Sequence, residues 1–107
     1  MVKAGMKVKI TDPAKASLKE ICDHYRKLGF DTYAVKIRRL ILERAKSLSK
    51  NPERCQEEEM LKELQQGHRY LLVESHFKII YLITEKEVVV TDIFDTHQDP
   101  DDMLKNR

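Results

Sequence analysis

The stretch RYLLVESHFKIIYLITEKEVVVTDIF, residues 69–94, decides the fold. It divides into three apolar, β-branched and aromatic segments: Arg69 to Val73, Phe77 to Ile83 and Val88 to Phe94. Between them stand only Glu74-Ser75-His76 and Thr84-Glu85-Lys86-Glu87. Residues of this kind favour a pleated, half-buried surface. Spacers this short cannot hold a crossover, so the three segments must pair as antiparallel hairpins in a meander.

Upstream of the meander the period changes. Gly67 closes a polar connector, residues 53–67, whose acidic run Glu57 to Glu59 is followed by Met60, Leu61 and Leu64, enough for a short helix. Before it come two stripes at helical spacing. Ala14, Leu18, Ile21, Tyr25 and Leu28, with Cys22 beside them, form the first; Ala34, Ile37, Ile41, Ala45 and Leu48 form the second. Asp12-Pro13 is suited to start the first helix and Gly29 to stop it, while Asp31 or Thr32 can cap the second and Asn51-Pro52 ends it. The short link between them predicts an antiparallel helical hairpin. At the front, Met6, Val8 and Ile10 alternate with Lys7 and Lys9, as in a half-buried strand. The sequence therefore predicts an α+β domain: an N-terminal strand, an α-helical hairpin, then a three-stranded antiparallel meander.

The chain has 107 residues and a mass of 12.6 kDa, which fits a single domain over residues 1–107, with 98–107 expected to be a flexible tail. Charged residues make up 36% and hydrophobic ones 41%, too apolar for disorder and too charged for a membrane protein. No apolar run reaches the roughly 18 residues needed to span a bilayer, and the Lys-interrupted opening does not read as a signal peptide. A cytoplasmic protein with both cysteines, Cys22 and Cys55, reduced is expected. His24, His68, His76 and His97 show no ligand spacing, so no metal site is expected.

The order of elements, with residues placed in it, resembles the RelE/ParE superfamily of toxins from bacterial type II toxin-antitoxin modules. The matching features are Asp12-Pro13-Ala14 after the opening strand, Leu48 to Asn51-Pro52 at the exit of the second helix, and Gly67-His68-Arg69 entering the meander. The strand Phe77-Lys78-Ile79-Ile80-Tyr81 and the closing Asp95-Thr96-His97-Gln98-Asp99-Pro100 complete the set. The similarity covers nearly the whole chain. Fold alone does not fix activity in such a superfamily.

RelE-like members cut mRNA on the ribosome by attack of a ribose 2′-hydroxyl on the adjacent phosphate, which needs an acid, a base and cations. Carried over by position, Arg69 and Lys78 would stabilise the phosphate and His97 would move the proton. Leu71 stands at a third basic place of that pattern, and Gln98 and Leu104 fall at or near the terminal catalytic places, so the set is incomplete. Each candidate also has a structural reading: Arg69 pairing with Asp92 or Asp95, Lys78 a solvated strand residue, Tyr81 a core residue, His97 a turn residue. ParE-like members instead inhibit DNA gyrase and need no catalytic set. The length of the two helices favours this subgroup, and with it a growth-inhibiting toxin of the kind used in plasmid stabilisation. The alternatives are the ribosome and mRNA as target, or a degenerate member that keeps only antitoxin binding. Every reading implies a cognate antitoxin and no cofactor.

The charge distribution bears on the choice. Residues 1–50 carry a balance of +8 and residues 51–107 one of −6. The excess cations include Lys36, Arg38, Arg39 and Arg44 on the second helix, while Asp95, Asp99, Asp101 and Asp102 surround the end where a nuclease would bind RNA. The asymmetry favours a basic hairpin that meets an acidic antitoxin or target protein.

Overall fold

The computed structural model describes residues 5–97. The elements are β1 (Lys7–Ile10), α1 (Asp12–Lys27), α2 (Asp31–Lys46), β2 (Gln56–Glu57), β3 (Arg69–Val73), β4 (Phe77–Ile83) and β5 (Glu87–Asp95). Single 3-10 turns occupy Ser47–Ser49 and Pro52–Arg54, and a two-turn 3-10 helix occupies Glu59–Leu64. The strands form one sheet in the order β1-β5-β4-β3-β2, with β1 parallel to β5 and all other pairs antiparallel. The α+β expectation holds, with one strand more than the sequence announces. β2 has only two exposed polar residues and no alternation; it exists because its backbone pairs with Arg69 and Tyr70. The expected tail at 98–107 lies outside the described residues.

Thr11 joins strand to helix. Its backbone N–H and its hydroxyl both donate to the Val90 carbonyl, at 3.0 and 2.9 Å, while the same hydroxyl oxygen accepts from the Ala14 amide at 3.3 Å. Thr11 is thus the N-cap of α1, and Asp12, expected in that role, adds its charge to the first turn. Ala14, Leu18, Ile21 and Cys22 are buried, whereas Leu28 lies beyond the last turn and is exposed. Gly29, at φ +85°, turns the chain into α2. That helix starts without a side-chain cap and buries Ala34, Ile37, Ile41 and Ala45, with Leu48 following in the next turn.

The two faces of the sheet are dressed differently. Leu71, Val73, Phe77, Ile79, Tyr81, Val88 and Val90 pack with the helices in the main core. Leu61, from the turn at Glu59–Leu64, packs with Ile80, Phe94 and Tyr70 in a second, smaller cluster. A bulge makes this possible. Ile80 pairs with Asp92 but Tyr81 pairs with Val90, leaving Thr91 as an extra residue in β5. The bulge shifts the alternation by one: Val88 and Val90 enter the main core before it, Ile93 after it. Asp92 holds the irregularity, its Oδ1 accepting from the Ile93 amide at 2.9 Å and from the Ser17 hydroxyl of α1 at 2.6 Å.

The β3–β4 hairpin closes on two successive left-handed residues, Glu74 at φ 52° and Ser75 at φ 61°, with the His76 amide donating to Val73 at 3.3 Å. Turns with positive φ at both central residues prefer Asn-Gly, because other side chains crowd their own backbone there. Replacing Glu74-Ser75 by Asn-Gly is expected to raise unfolding free energy by about 1 kcal/mol. Urea denaturation checks it; a loss of stability would show that the native side chains hold the turn.

Candidate functional site

The three residues expected to serve a nuclease are set apart by the pleat. Arg69 pairs across the ladder with Tyr81 and so shares the helix-covered face, while Lys78 pairs with Leu72 and lies on the other face. Arg69 is half-buried and donates to the carbonyls of Cys55 and Glu53 at 2.6 and 3.3 Å, tying the connector to β3. Among the described residues it makes no ion pair with an acid, as the pairing with Asp92 or Asp95 would require. Asp95 stands opposite Phe77, four positions along β4 from Tyr81, about 13 Å at strand rise.

Lys78 is also committed. Its Nζ lies 2.8 Å from Glu58 Oε2, with the Glu58 side chain only 1% exposed and that of Lys78 22%. The ammonium also sits 4.4 Å from the centroid of the Tyr70 ring, and Glu58 Oε1 accepts from the Met60 amide at 3.3 Å, capping the turn above the second cluster. The short helix suspected in the connector is thus held by a buried ion pair. His97, 73% exposed, lies beyond β5 near Asp95, and Leu71 is a core residue. The three therefore do not converge on one point. Tyr81 is wholly buried, its hydroxyl donating to the Pro52 carbonyl.

The helical hairpin offers a different surface. A groove of about 340 Å³ is lined by Ile10, Leu18, Cys22 and Leu42 and rimmed by Lys15, Lys19, Arg26 and Arg38. Its floor is apolar and its rim wholly cationic. Asp23 neutralises Lys19 and Arg26 in part, at 2.9 and 3.0 Å; Lys15 and Arg38 make no ion pair among the described residues. Lys36, Arg39 and Arg44, expected beside Arg38, are exposed on other sides of α2, Arg44 about 120° around the axis from Arg38. The groove cations on α1 were legible as positions 15, 19 and 26 of one helical face but are recognised as a rim only when α2 is laid against them. The two cysteines are free, and burial pushes the Cys22 thiol up.

Comparison with known proteins decides the family. Residues 8–100 match the family described as "ParE toxin of type II toxin-antitoxin system, parDE". The chain belongs to the ParE toxin family. It is similar to a solved chain of the chromosomal ParDE toxin-antitoxin system from P. aeruginosa, at 27% identity and a TM-score of 0.70. That match covers 84% of this chain and 95% of that one. No curated protein matches it significantly. The resemblance to the superfamily, and to its ParE-like branch, is thereby borne out. This is a ParE-type toxin of a type II toxin-antitoxin system.

A second cluster of polar side chains in this ParE toxin lies where the β3–β4 turn meets the end of β5. The Tyr25 hydroxyl donates to Asp95 Oδ2 at 3.4 Å and the Tyr25 ring packs edge-on against Tyr33 and Phe77. Burial, with the charge of Asp95 beside it, pushes the Tyr25 hydroxyl up to about 12, and burial likewise raises Tyr33 and Tyr81. Asp95 also accepts from the His97 amide at 2.9 Å, turning the chain after β5.

Two outcomes follow from these contacts. Lys78→Met, which strands the buried Glu58 carboxylate, is expected to cost about 3 kcal/mol, while adding Glu58→Leu restores most of it. Denaturant melts of the singles and the double measure the coupling, and additive losses would refute it. The folded tyrosines bind their protons more tightly than the unfolded chain does. The stability they contribute is therefore full below pH 10 and lost as pH climbs toward 12. Tyr25→Phe should flatten that alkaline decline in thermal melts, and an unchanged slope would remove Tyr25 from it.

Proposed function

We propose that this toxin arrests growth in the cytoplasm by binding a target protein, DNA gyrase, and that its cognate antitoxin silences it through an acidic, partly apolar segment seated on the helical hairpin. The observation that carries the reading is the groove between α1 and α2, with apolar Leu18 and Leu42 at its floor and cations, including Lys15 and Arg38, along its rim. An amphipathic acidic segment that folds as it binds would bury its apolar side on that floor and set its carboxylates against the rim. Val35, exposed at 62%, lies on the same side of α2 as Arg38 and Leu42, at helical positions i, i+3 and i+7, and extends the apolar path. A protein-binding mode of action also asks nothing of Arg69 and Lys78, each already engaged in holding the connector to the sheet.

Brief expression in growing cells tests the reading. Covalent gyrase–DNA complexes should accumulate while message stays intact, and His97→Ala should remain as toxic as the parent. Cleavage of translated message at codons, with gyrase unaffected, would overturn it in favour of ribosome-dependent cleavage. The antitoxin is to be sought in the adjacent reading frame. Joint reversal of Lys15 and Arg38 to Glu should weaken its binding at least ~10-fold, by loss of rim charge.

A further inference from the structure

We propose that His76, Asp95 and His97 bind a divalent transition-metal ion of the zinc class at the end of the sheet. Each offers one donor atom, and these atoms lie within 4.8 Å of one another. Two imidazoles and one carboxylate are a ligand set that zinc accepts, with room left for a further ligand. The three are remote from ligand spacing in the sequence. The β4–β5 pairing assembles them: Phe77 stands opposite Asp95, and the Thr96 amide donates to the His76 carbonyl at 2.8 Å, so the residues flanking both strand ends share one corner. The bulge contributes as well, since without its shift in phase Asp95 would point away from the helices.

The donors are also prepared for an ion. The Nδ1 of His76 lies 2.7 Å from the Glu74 carbonyl, which can only accept, so Nδ1 carries the proton and Nε2 keeps a lone pair, faced by the Tyr33 hydroxyl at 3.5 Å, which a bound ion would displace. Metal-bound histidines are commonly fixed in this way by a backbone carbonyl behind the ring. Asp95 is buried and oriented by Tyr25 and by the His97 amide. His97 is the movable member. Its Nδ1 lies 3.3 Å from Asp95 Oδ1, its ring stacks on that of His76 at 5.0 Å, and its exposure leaves it free to turn an unprotonated nitrogen toward the other two. Asp95 and His97 also line a cavity of about 300 Å³ with Glu20, Ile21 and His24 of α1, which gives an ion access from solvent. Bound there, the ion would fasten the segment after β5 to the strained turn before β4.

The experiment is a titration of the tag-free full chain with Co²⁺, read by visible absorption, followed by displacement with Zn²⁺. One equivalent should bind with the spectrum of nitrogen and oxygen ligands and without a thiolate band, and Zn²⁺ should raise the melting temperature as binding to the folded state requires. His97→Ala, at an exposed position, and His76→Ala should each lower affinity at least ~10-fold without unfolding the chain. Absence of saturable binding would overturn the proposal. So would binding that survives in the His76→Ala/His97→Ala double variant, or that disappears with Cys55→Ser alone.

Discussion

The single extra residue that β5 carries in its ladder with β4 governs much of this structure. In an unbroken ladder the side chains of β5 would alternate throughout, and Val88 and Val90, buried against the helices, would send Asp92 and Phe94 the same way. The bulge at Thr91 cancels one step. Ile93 then continues the main core, and Phe94 drops to the opposite face to pack with Leu61 and Ile80. Asp92, whose carboxylate satisfies both the Ile93 amide and the Ser17 hydroxyl, makes the irregularity specific and ties it to α1. One sheet can therefore support two cores.

The second core explains why the connector is ordered despite its composition. Residues 53–67 hold few apolar side chains, and an acidic run would ordinarily stay in water. Here Glu58 is drawn inside because Lys78 meets it, Tyr70 covers the ammonium, and the carboxylate also caps the following turn. From the other face, Arg69 grips the carbonyls of Glu53 and Cys55. The two cations that a nuclease reading would send to a phosphate are the ones that stitch this segment to the sheet. A buried pair of this kind resists being diverted, since withdrawing Lys78 would leave a carboxylate stranded in an apolar setting.

How much of this is visible in the sequence varies with the length scale of the cause. The helical stripes and the three strands of the meander are local periodicities, and all five elements stand where the pattern puts them. β2 is invisible because its two residues carry no apolar alternation; its backbone pairs with β3, and the Tyr70 hydroxyl donates to Gln56 Oε1 at 3.1 Å. The cap of α1 is misread by one residue because Thr11 is still bonded to β5 when the helix begins, a contact 79 residues away. The bulge depends on a count of residues across a hairpin, and the grouping of His76, Asp95 and His97 depends on the bulge. The hairpin rim has the same origin. Its cations lie on two helices whose relative rotation the one-dimensional pattern does not contain.

The charge asymmetry acquires a structural meaning from these contacts. The three buried acids of the second half are occupied within the chain, while Glu53, Glu57, Glu59, Glu74 and Glu85 are exposed. Glu58 holds Lys78, Asp92 holds Ser17, and Asp95 holds Tyr25 and the backbone of His97. Among the described residues only Asp23, itself in the basic half, pairs with hairpin cations, and those pairs are exposed. Lys15, Lys36, Arg38, Arg39 and Arg44 make no ion pair among the described residues. The fold thus buries three of its carboxylates and leaves these hairpin cations exposed. Solvent-exposed cations so arranged repel one another and contribute little to stability. An acidic partner of the kind proposed above would feel their attraction before contact and have its register set by them once seated.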